Sequence, residues 1–287
     1  MIDKKQYDLP AGTDVAWCPG CGNFPILNIV KTALAELGLP PEQVVMVSGI
    51  GQAAKTPQYM RVSYFNGLHG RALPPALAIK NVNPSLTVIA ESGDGDTYGE
   101  GGNHFLHTIR KNPDITNIVH NNMVYGLTKG QASPTSEAGM VTPLQPAGVI
   151  IEPFNPLATA IATGATFVAR VFSGDIPQAV EIIKKAIQHE GYALVDIFQP
   201  CVVFNHQNTF TWFKEHTYYL DETHDATDKM KAMELAFKDA EEKFPLGILY
   251  QQTGSVPYHK RVRSSEEKLF AISVDQKKVK AALEKHQ

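Results

Sequence analysis

Short apolar runs that alternate with helical patterns constrain the fold of this 287-residue chain most strongly. Five runs lack the apolar–polar alternation of a half-exposed strand, which is typical of strands buried on both faces. They are residues 44–47, 86–90, 115–119, 166–171 and 193–198. Helical periodicity lies between them, most clearly over residues 176–190. This order predicts an α/β fold, with a doubly wound parallel sheet flanked by helices.

The strand–helix order ends near residue 205, which predicts two regions. Residues 1–205 would form the α/β domain, including a CxxC-containing N-terminal segment, and residues 206–287 a C-terminal extension. The extension has an aromatic, irregular stretch over residues 208–225, a predicted polar helix over residues 226–243 and a lysine-rich terminal helix. Its aromatic residues leave open whether it packs on its own domain or on a partner subunit.

Composition and charge exclude several classes of function. The net charge of −3 gives no electrostatic reason to expect a nucleic-acid or membrane partner. No apolar run is long enough to span a bilayer, and the first ten residues lack the apolar core of a signal peptide. We therefore expect a cytoplasmic protein. Three cysteines, an odd number in a reducing compartment, favour metal or redox chemistry over a disulfide framework.

Two turns at the ends of neighbouring predicted strands indicate a metal–phosphate site. Gly93-Asp94-Gly95 follows one strand and Asn121-Asn122 ends the next, at the edge of the sheet where α/β proteins bind ligands. A carboxylate, an amide oxygen and the carbonyl of Val124, together with water and phosphate oxygens, suit an octahedral Mg²⁺ site. A glycine turn and an asparagine turn with only structural roles are the alternative, but their joint occurrence favours the metal.

The CxxC pair of Cys18 and Cys21 is chemically ambiguous by itself. Such a pair can bind zinc, exchange disulfides or ligate an iron–sulfur cluster. The third cysteine, Cys201, lies 180 residues beyond Cys21, which disfavours a small zinc finger because the ligands of such a site come in closely spaced pairs.

Six sequence blocks, in order between residues about 10 and 210, together resemble one family. They are "WCPGCGN", "SGIGQAAK", "FNGLHGRALPPALAIK", "GDGDTYGEGGNHF", "NNMVYGLTKGQASPTS" and "QPCVVFN". The chain is similar to the β subunits of 2-oxoacid:ferredoxin oxidoreductases, and most similar to the 2-oxoglutarate branch. In thiamine diphosphate enzymes, GDG followed after 25 residues by NN is the diphosphate-binding motif, and this sequence has that spacing.

The resemblance implies roles for individual residues in binding the cofactor and substrate. Mg²⁺ would be held by Asp94, Asn122 and the Val124 carbonyl. The diphosphate pocket would be lined by Gly93, Gly95 and Asp96, and the cofactor would be covered by Tyr125. His69 would reach the diphosphate or the reacting centre, with a loop histidine bonded only to backbone as its alternative. Lys55 and Leu127 occupy positions that help to select the 2-oxoacid in the family. Lys55 would pair with the distal carboxylate of 2-oxoglutarate, or else be a surface lysine.

The resemblance also interprets the cysteines. Cys18, Cys21 and Cys201 match cluster ligands of the family, whereas Gln52 in "GIGQ" stands where a fourth thiolate is expected. Because glutamine is a poor match for iron, three outcomes are open. The expected one is a [4Fe–4S] cluster with a non-cysteine or exogenous fourth ligand, and the others are a three-iron cluster and no cluster.

The implied activity is the CoA-dependent oxidative decarboxylation of a 2-oxoacid, with 2-oxoglutarate favoured and electrons passed to ferredoxin, a reaction that is reversible in principle. The chain has one diphosphate-type domain, so an α-type partner subunit would supply the pyrimidine-binding domain and its activating glutamate, in an αβ or (αβ)₂ assembly. One alternative is a cluster-free thiamine diphosphate-dependent decarboxylase or ligase subunit. The other is a zinc-holding nucleotide-binding module without catalysis.

Overall fold

Eight strands form one hydrogen-bonded sheet in the computed structural model, which describes residues 1–262 and 267–285. In chain order they are β1 (Val44–Ser48), β2 (Ser63–Asn66), β3 (Thr87–Gly93), β4 (Ile115–Asn121), β5 (Phe167–Phe172), β6 (Tyr192–Phe198), β7 (Thr217–Tyr219) and β8 (Phe244–Gln251). Their order across the sheet is β2-β1-β3-β4-β6-β5-β8-β7. The first six of these are mutually parallel, and only the β5–β8 pair is antiparallel.

The five predicted strands are confirmed as β1, β3, β4, β5 and β6, with small shifts at their ends. Three strands were not predicted. All four residues of β2 are exposed, so it carries no buried pattern. β8 reads "FPLGILYQ", and its proline and glycine are residues that usually argue against a strand.

Nine helices lie within the described residues. They are α1 (Asn23–Glu36), α2 (Leu73–Val82), α3 (Gly102–Lys111), α4 (Pro156–Thr163), α5 (Ile176–Gln188), α6 (Phe210–Glu215), α7 (Lys229–Ala236), α8 (Tyr258–Val262) and α9 (Gln276–Glu284). The helix predicted over residues 176–190 is α5, and its first turn is capped by Asp175, whose side chain accepts a hydrogen bond from the Gln178 N–H. The lysine-rich terminal helix is α9.

The polar helix predicted over residues 226–243 is wrong in its length. Only α7 forms, and the chain enters β8 at Phe244. Asp239 explains the early end, since its carboxylate accepts hydrogen bonds from the backbone N–H groups of Glu241 and Glu242 in a local turn that competes with a helix.

Helices cover both faces of the sheet, which confirms the doubly wound architecture. On one face, α1 and α5 bury residues such as Ile29 and Ile183 against the sheet. On the other face, α2, α3 and α4 bury residues that include Phe105 and Ile161. The parallel register places Gly93 opposite His120 and Asn121 opposite Phe198, so the segments that follow β3, β4 and β6 leave the sheet side by side.

The C-terminal region contributes strands to the same sheet. Phe244 of β8 lies edge-on to Phe198 of β6, with ring centroids 5.1 Å apart, and Phe213 of α6 stacks on Phe198 at 4.8 Å. This region therefore packs on the α/β domain, whereas the boundary at residue 205 stays a prediction. In the described ranges, no helix has both the length and the apolar character that a bilayer crossing requires.

Candidate active site

A cleft opens at the carboxyl edge of the parallel strands and has about 830 Å³ of space between its walls. It brings together almost all of the residues singled out in the sequence. Its lining includes Cys18, Cys21, Gln52, His69, Gly93, Asp94, Gly95, Asp96, Asn122, Val124, Tyr125, Leu127 and Cys201. Lys55 is the exception: it lies in a short helical segment, Ala53–Tyr59, of which Ala53 lines the cleft and Lys55 does not.

Asp94 is the buried carboxylate of the cleft. Its side chain is 2% exposed, and its Oδ2 accepts hydrogen bonds from the hydroxyls of Ser133 at 2.5 Å and Thr135 at 2.6 Å. Burial raises the pKa of Asp94 to about 6 in spite of these bonds. No lysine or arginine lines the cleft within the described residues, so no cationic side chain there compensates this carboxylate. A desolvated carboxylate of this kind is a candidate metal ligand.

Tyr125 fastens the two predicted turns to each other. Its hydroxyl donates to the Gly95 carbonyl at 3.2 Å and lies 3.2 Å from Glu100, and its backbone N–H bonds to the Gln131 carbonyl. A side chain on Gly95 would overlap the Tyr125 ring, so this close approach requires glycine. In the second turn, Asn122 Oδ1 accepts a hydrogen bond from the Val124 N–H at 3.1 Å.

A hydrogen-bonded chain connects Asp94 to a buried ion pair beneath the cleft. The Thr135 hydroxyl lies 2.6 Å from Asp94 Oδ2 and 2.9 Å from Asn121 Oδ1. The Asn121 amide donates to Asp196, whose carboxylate pairs with Arg170 at 3.0 Å. The first asparagine of the NN motif thus faces the core, whereas the second lines the cleft.

Asp96 and His69 hold the opposite wall. Asp96 Oδ1 accepts hydrogen bonds from the backbone N–H groups of Ile50 and Gly70 and lies 3.3 Å from His69 Nδ1. Burial raises the pKa of Asp96, and its Oδ2 is buried without a partner. The His69 side chain is half exposed, and Glu100 lies 3.9 Å from its ring. The side chains that approach the His69 ring are thus carboxylates, unlike the backbone partners that a merely structural loop histidine would have.

The three cysteines come from segments that are distant in sequence and meet in this cleft. The Gly22 N–H donates to the Pro200 carbonyl at 3.4 Å, which joins the CxxC loop to the segment of Cys201. The pKa of the Cys21 thiol is raised to about 11, chiefly by burial and to a smaller extent by the negative charges that Cys201 and Cys18 can carry. Among residues 1–262 and 267–285, no three His, Cys, Asp or Glu side chains group closely enough to hold a single metal ion.

Sequence reasoning missed a buried polar network below the cleft. His120 of β4 lies 2.8 Å from Glu91 of β3 through Nε2 and 2.8 Å from Asn23 Oδ1 of α1 through Nδ1, and all three residues are at most 1% exposed. This network joins β3, which leads into the GDG turn, to β4, which leads into the NN turn, and to α1, which follows the CxxC loop. The sequence signal that could have revealed this network is the presence of polar residues inside otherwise apolar strands. Only the fold shows that these residues contact one another.

Known proteins are similar to this chain in sequence and in fold. The family described as "Thiamine pyrophosphate enzyme, C-terminal TPP binding domain" matches residues 43–197, and the C-terminal family of the pyruvate ferredoxin oxidoreductase β subunit matches residues 201–267. A 2-oxoacid:ferredoxin oxidoreductase subunit beta from Saccharolobus solfataricus is 46% identical over 258 residues, covering 86% of this chain and 85% of the relative. The chain belongs to this family of β subunits.

Two further similarities agree with that membership. The 2-oxoglutarate oxidoreductase subunit KorB of Mycobacterium tuberculosis is 44% identical over 70% of this chain and 54% of the relative. A solved 2-oxoglutarate:ferredoxin oxidoreductase from Magnetococcus marinus, with 2-oxoglutarate, coenzyme A and succinyl-CoA bound, is 37% identical and superposes with a TM-score of 0.91. That superposition covers 99% of this chain and 96% of the other.

Family membership confirms the predicted fold class, the thiamine diphosphate-binding domain and the oxidoreductase activity of the multi-subunit enzyme to which such a chain contributes. The alternative of a zinc-holding module without catalysis is therefore wrong. The assignments of individual site residues stay predictions.

Proposed function

We propose that this chain carries the thiamine diphosphate site of an enzyme that oxidatively decarboxylates 2-oxoglutarate with CoA and passes the electrons to ferredoxin. The observation that carries this proposal is the single cleft in which the GDG turn, the NN turn, His69 and three cysteines converge. The bound 2-oxoglutarate and CoA of the Magnetococcus marinus enzyme favour the same substrates here. When bound, thiamine diphosphate supplies the nucleophilic carbon and the electron sink for decarboxylation.

Mg²⁺ fits the donor set of Asp94, Asn122 and the Val124 carbonyl. These offer one carboxylate and two neutral oxygens, which leaves room for water and the diphosphate oxygens that Mg²⁺ prefers to keep. The raised pKa of Asp94 supports the assignment because a cation beside it would stabilise the ionised carboxylate.

Replacing Asp94 by asparagine tests this metal assignment. Asp94→Asn keeps the shape of the side chain but removes its charge, so we expect at least a tenfold loss in retention of thiamine diphosphate at micromolar concentrations with Mg²⁺. Asp225→Asn, at an exposed surface turn, is the control. Cofactor occupancy measured after gel filtration decides the question, and unchanged occupancy in Asp94→Asn would remove Asp94 from the site.

A [4Fe–4S] cluster fits the three thiols. A cluster distributes its thiolate ligands over several iron atoms, so they lie farther apart than the ligands of one ion. Cys21 already accepts a hydrogen bond from the Gln199 side-chain amide at 3.4 Å, the kind of contact that tunes such centres. Iron content near four per chain in anaerobic protein, lost in Cys18→Ala, Cys21→Ala or Cys201→Ala, is the expected result. Absence of iron in protected protein would place the first electron acceptor in another subunit.

The activating glutamate is proposed to come from an α-type partner in an αβ or (αβ)₂ assembly in the cytoplasm. No glutamate of the described residues lines the cleft. Glu91 is buried against His120, and Glu100 lies at the rim against Tyr125. The chain alone is therefore expected to be inactive. Adding the partner should give ferredoxin reduction that needs both 2-oxoglutarate and CoA, and robust turnover by the isolated chain would contradict the proposal.

Lys55 and Leu127 are proposed to select the substrate. Leu127 lines the cleft and is 43% exposed, whereas Lys55 would have to reach toward the distal carboxylate from just behind the lining. A charge-assisted hydrogen bond of about 1.5–3 kcal/mol corresponds to roughly a 10- to 150-fold preference. Lys55→Met should reduce the ratio of kcat/KM for 2-oxoglutarate over pyruvate by that factor, with Lys5→Met on the exposed surface as control. An unchanged ratio would assign the selection to other residues.

A further inference from the structure

One residue of the cleft that holds the three cysteines, Gln52, has a side-chain oxygen without a partner. The side-chain oxygen of Gln52 is buried and has no hydrogen-bond partner, and Gln52 lines the same cleft as Cys18, Cys21 and Cys201. Buried amide oxygens without a partner are rare in folded proteins, so this one indicates a group that the protein chain does not supply.

Gln52 is fixed relative to the CxxC loop by two contacts. The indole N–H of Trp17, the residue before Cys18, donates to the Gln52 backbone carbonyl at 2.8 Å. The Trp17 ring packs edge-on between Phe24 and Tyr59, at 5.3 and 4.7 Å between centroids. The Tyr59 hydroxyl also accepts a hydrogen bond from the Ala16 N–H at 3.1 Å. The loop that carries Cys18 and the segment that carries Gln52 are therefore held as one unit.

An amide oxygen can bind a metal ion or accept a hydrogen bond, and the three thiols that line the same cleft favour a metal. The lining of the cleft contains no lysine or arginine within the described residues, so no cationic side chain lies there to bind the oxygen. Gln199 is the other glutamine of the lining, and its Oε1 is also buried without a partner, but its Nε2 donates to Cys21 Sγ and to the Pro200 carbonyl, each at 3.4 Å. The Gln199 amide is therefore already engaged with Cys21 through its nitrogen, and of the two glutamines Gln52 is the one whose amide does not bind a cysteine.

We propose that Gln52 Oε1 takes the fourth corner of the cluster held by Cys18, Cys21 and Cys201, an inference that rests on the proposed function. One iron then has an amide oxygen where the other three have thiolates. A neutral, hard oxygen binds this iron more weakly than a thiolate would. After one-electron oxidation by ferricyanide, [4Fe–4S]³⁺ releases this iron as Fe²⁺ and leaves [3Fe–4S]⁺, which balances both charge and atoms.

The test measures iron loss in the anaerobically purified complex of this chain with its α-type partner. Wild type, Gln52→Cys, Gln52→Leu and the control Gln58→Leu receive one equivalent of ferricyanide. Iron released to a chelator and the paramagnetic signal of the three-iron cluster are then followed with time. Gln52→Cys should retain its fourth iron at least tenfold longer than wild type, Gln52→Leu should lose it faster, and Gln58→Leu, at an exposed position outside the cleft, should release it at the wild-type rate.

Thiamine diphosphate content and circular dichroism, recorded for each variant, separate these effects from misfolding. Equal rates of iron release in wild type and Gln52→Cys would overturn the role of Gln52, while four irons per chain would leave the proposed cluster in place. Equal effects of Gln52→Leu and Gln58→Leu would also overturn it. No iron in wild type or in Gln52→Cys, with normal thiamine diphosphate content, would overturn the cluster assignment itself and this inference with it.

Discussion

Replacing Asp196 by asparagine should lower the free energy of unfolding by about 3–5 kcal/mol, because it leaves a buried guanidinium without its counter-ion. Asp196 is fully buried, and Arg170 is 4% exposed with its Nε 3.0 Å from Asp196 Oδ2. The same carboxylate accepts hydrogen bonds from the Tyr98 hydroxyl at 2.8 Å and from the Asn121 amide. Asparagine keeps the size of the side chain, so the loss measures the charge and its bonds and includes no cavity. A loss of about 3 kcal/mol corresponds to an increase of about 150-fold in the unfolding equilibrium constant.

Urea unfolding of the cofactor-free chain at neutral pH, followed by circular dichroism, measures this loss. Asp8→Asn is the matched control: Asp8 pairs with Lys31 at 3.1 Å but is about half exposed, so its loss should stay below about 1 kcal/mol. Removing both buried charges, in Arg170→Met with Asp196→Leu, should cost less than Asp196→Asn alone. A loss below about 1 kcal/mol for Asp196→Asn, or a double variant as unstable as the sum of the single ones, would refute the reasoning.

Two further predictions concern the GDG turn. Gly95→Ala should reduce retention of thiamine diphosphate and lower stability, because its methyl group would overlap the Tyr125 ring. Gly102→Ala is the control, since its methyl group would enter open space, and it should be neutral or slightly stabilising. Equal behaviour of the two variants in dialysis and thermal unfolding would contradict this prediction. The pKa of Asp94 is about 6 in the cofactor-free fold against 3.8 ordinarily, so the stability it contributes is fully present below pH 3.8 and is lost as the pH rises through 6. The stability of wild type relative to Asp94→Asn should therefore fall by up to about 3 kcal/mol between about pH 4 and 7, and a constant difference would show that Asp94 is not desolvated.

The strands that could be predicted from the sequence are those whose burial on both faces gives them a mainly apolar sequence. β3 through β6 are buried on both faces and therefore read as mainly apolar runs without a regular apolar–polar alternation. β2 has no buried residue, and β8 contains Pro245 and Gly247, so neither has a local signal. β8 is a strand because it hydrogen-bonds to β5, an interaction between distant residues that a local pattern does not encode.

The site divides in a similar way. Gly93-Asp94-Gly95 and Asn121-Asn122 were predictable as one site because parallel strands end at a common edge. The prediction that Cys21 and Cys201 belong to one site came only from the family resemblance, since no spacing rule links positions so far apart. The contact of His120 with Glu91 and Asn23 could not be predicted, because each of these polar residues sits in a different element and is buried only by its partners.

The antiparallel pairing of β5 with β8 also sets a condition on biosynthesis. Every residue of β5 is buried in the finished fold, yet the strand that covers its outer edge is translated only after residues 173–243 have been made. Until β8 leaves the ribosome, the nascent sheet ends in an apolar strand with unpaired backbone groups, which can pair with other chains. A ribosome that stalls before Phe244 would therefore release a product prone to aggregation, although that product already contains the complete GDG and NN motifs and all three cysteines.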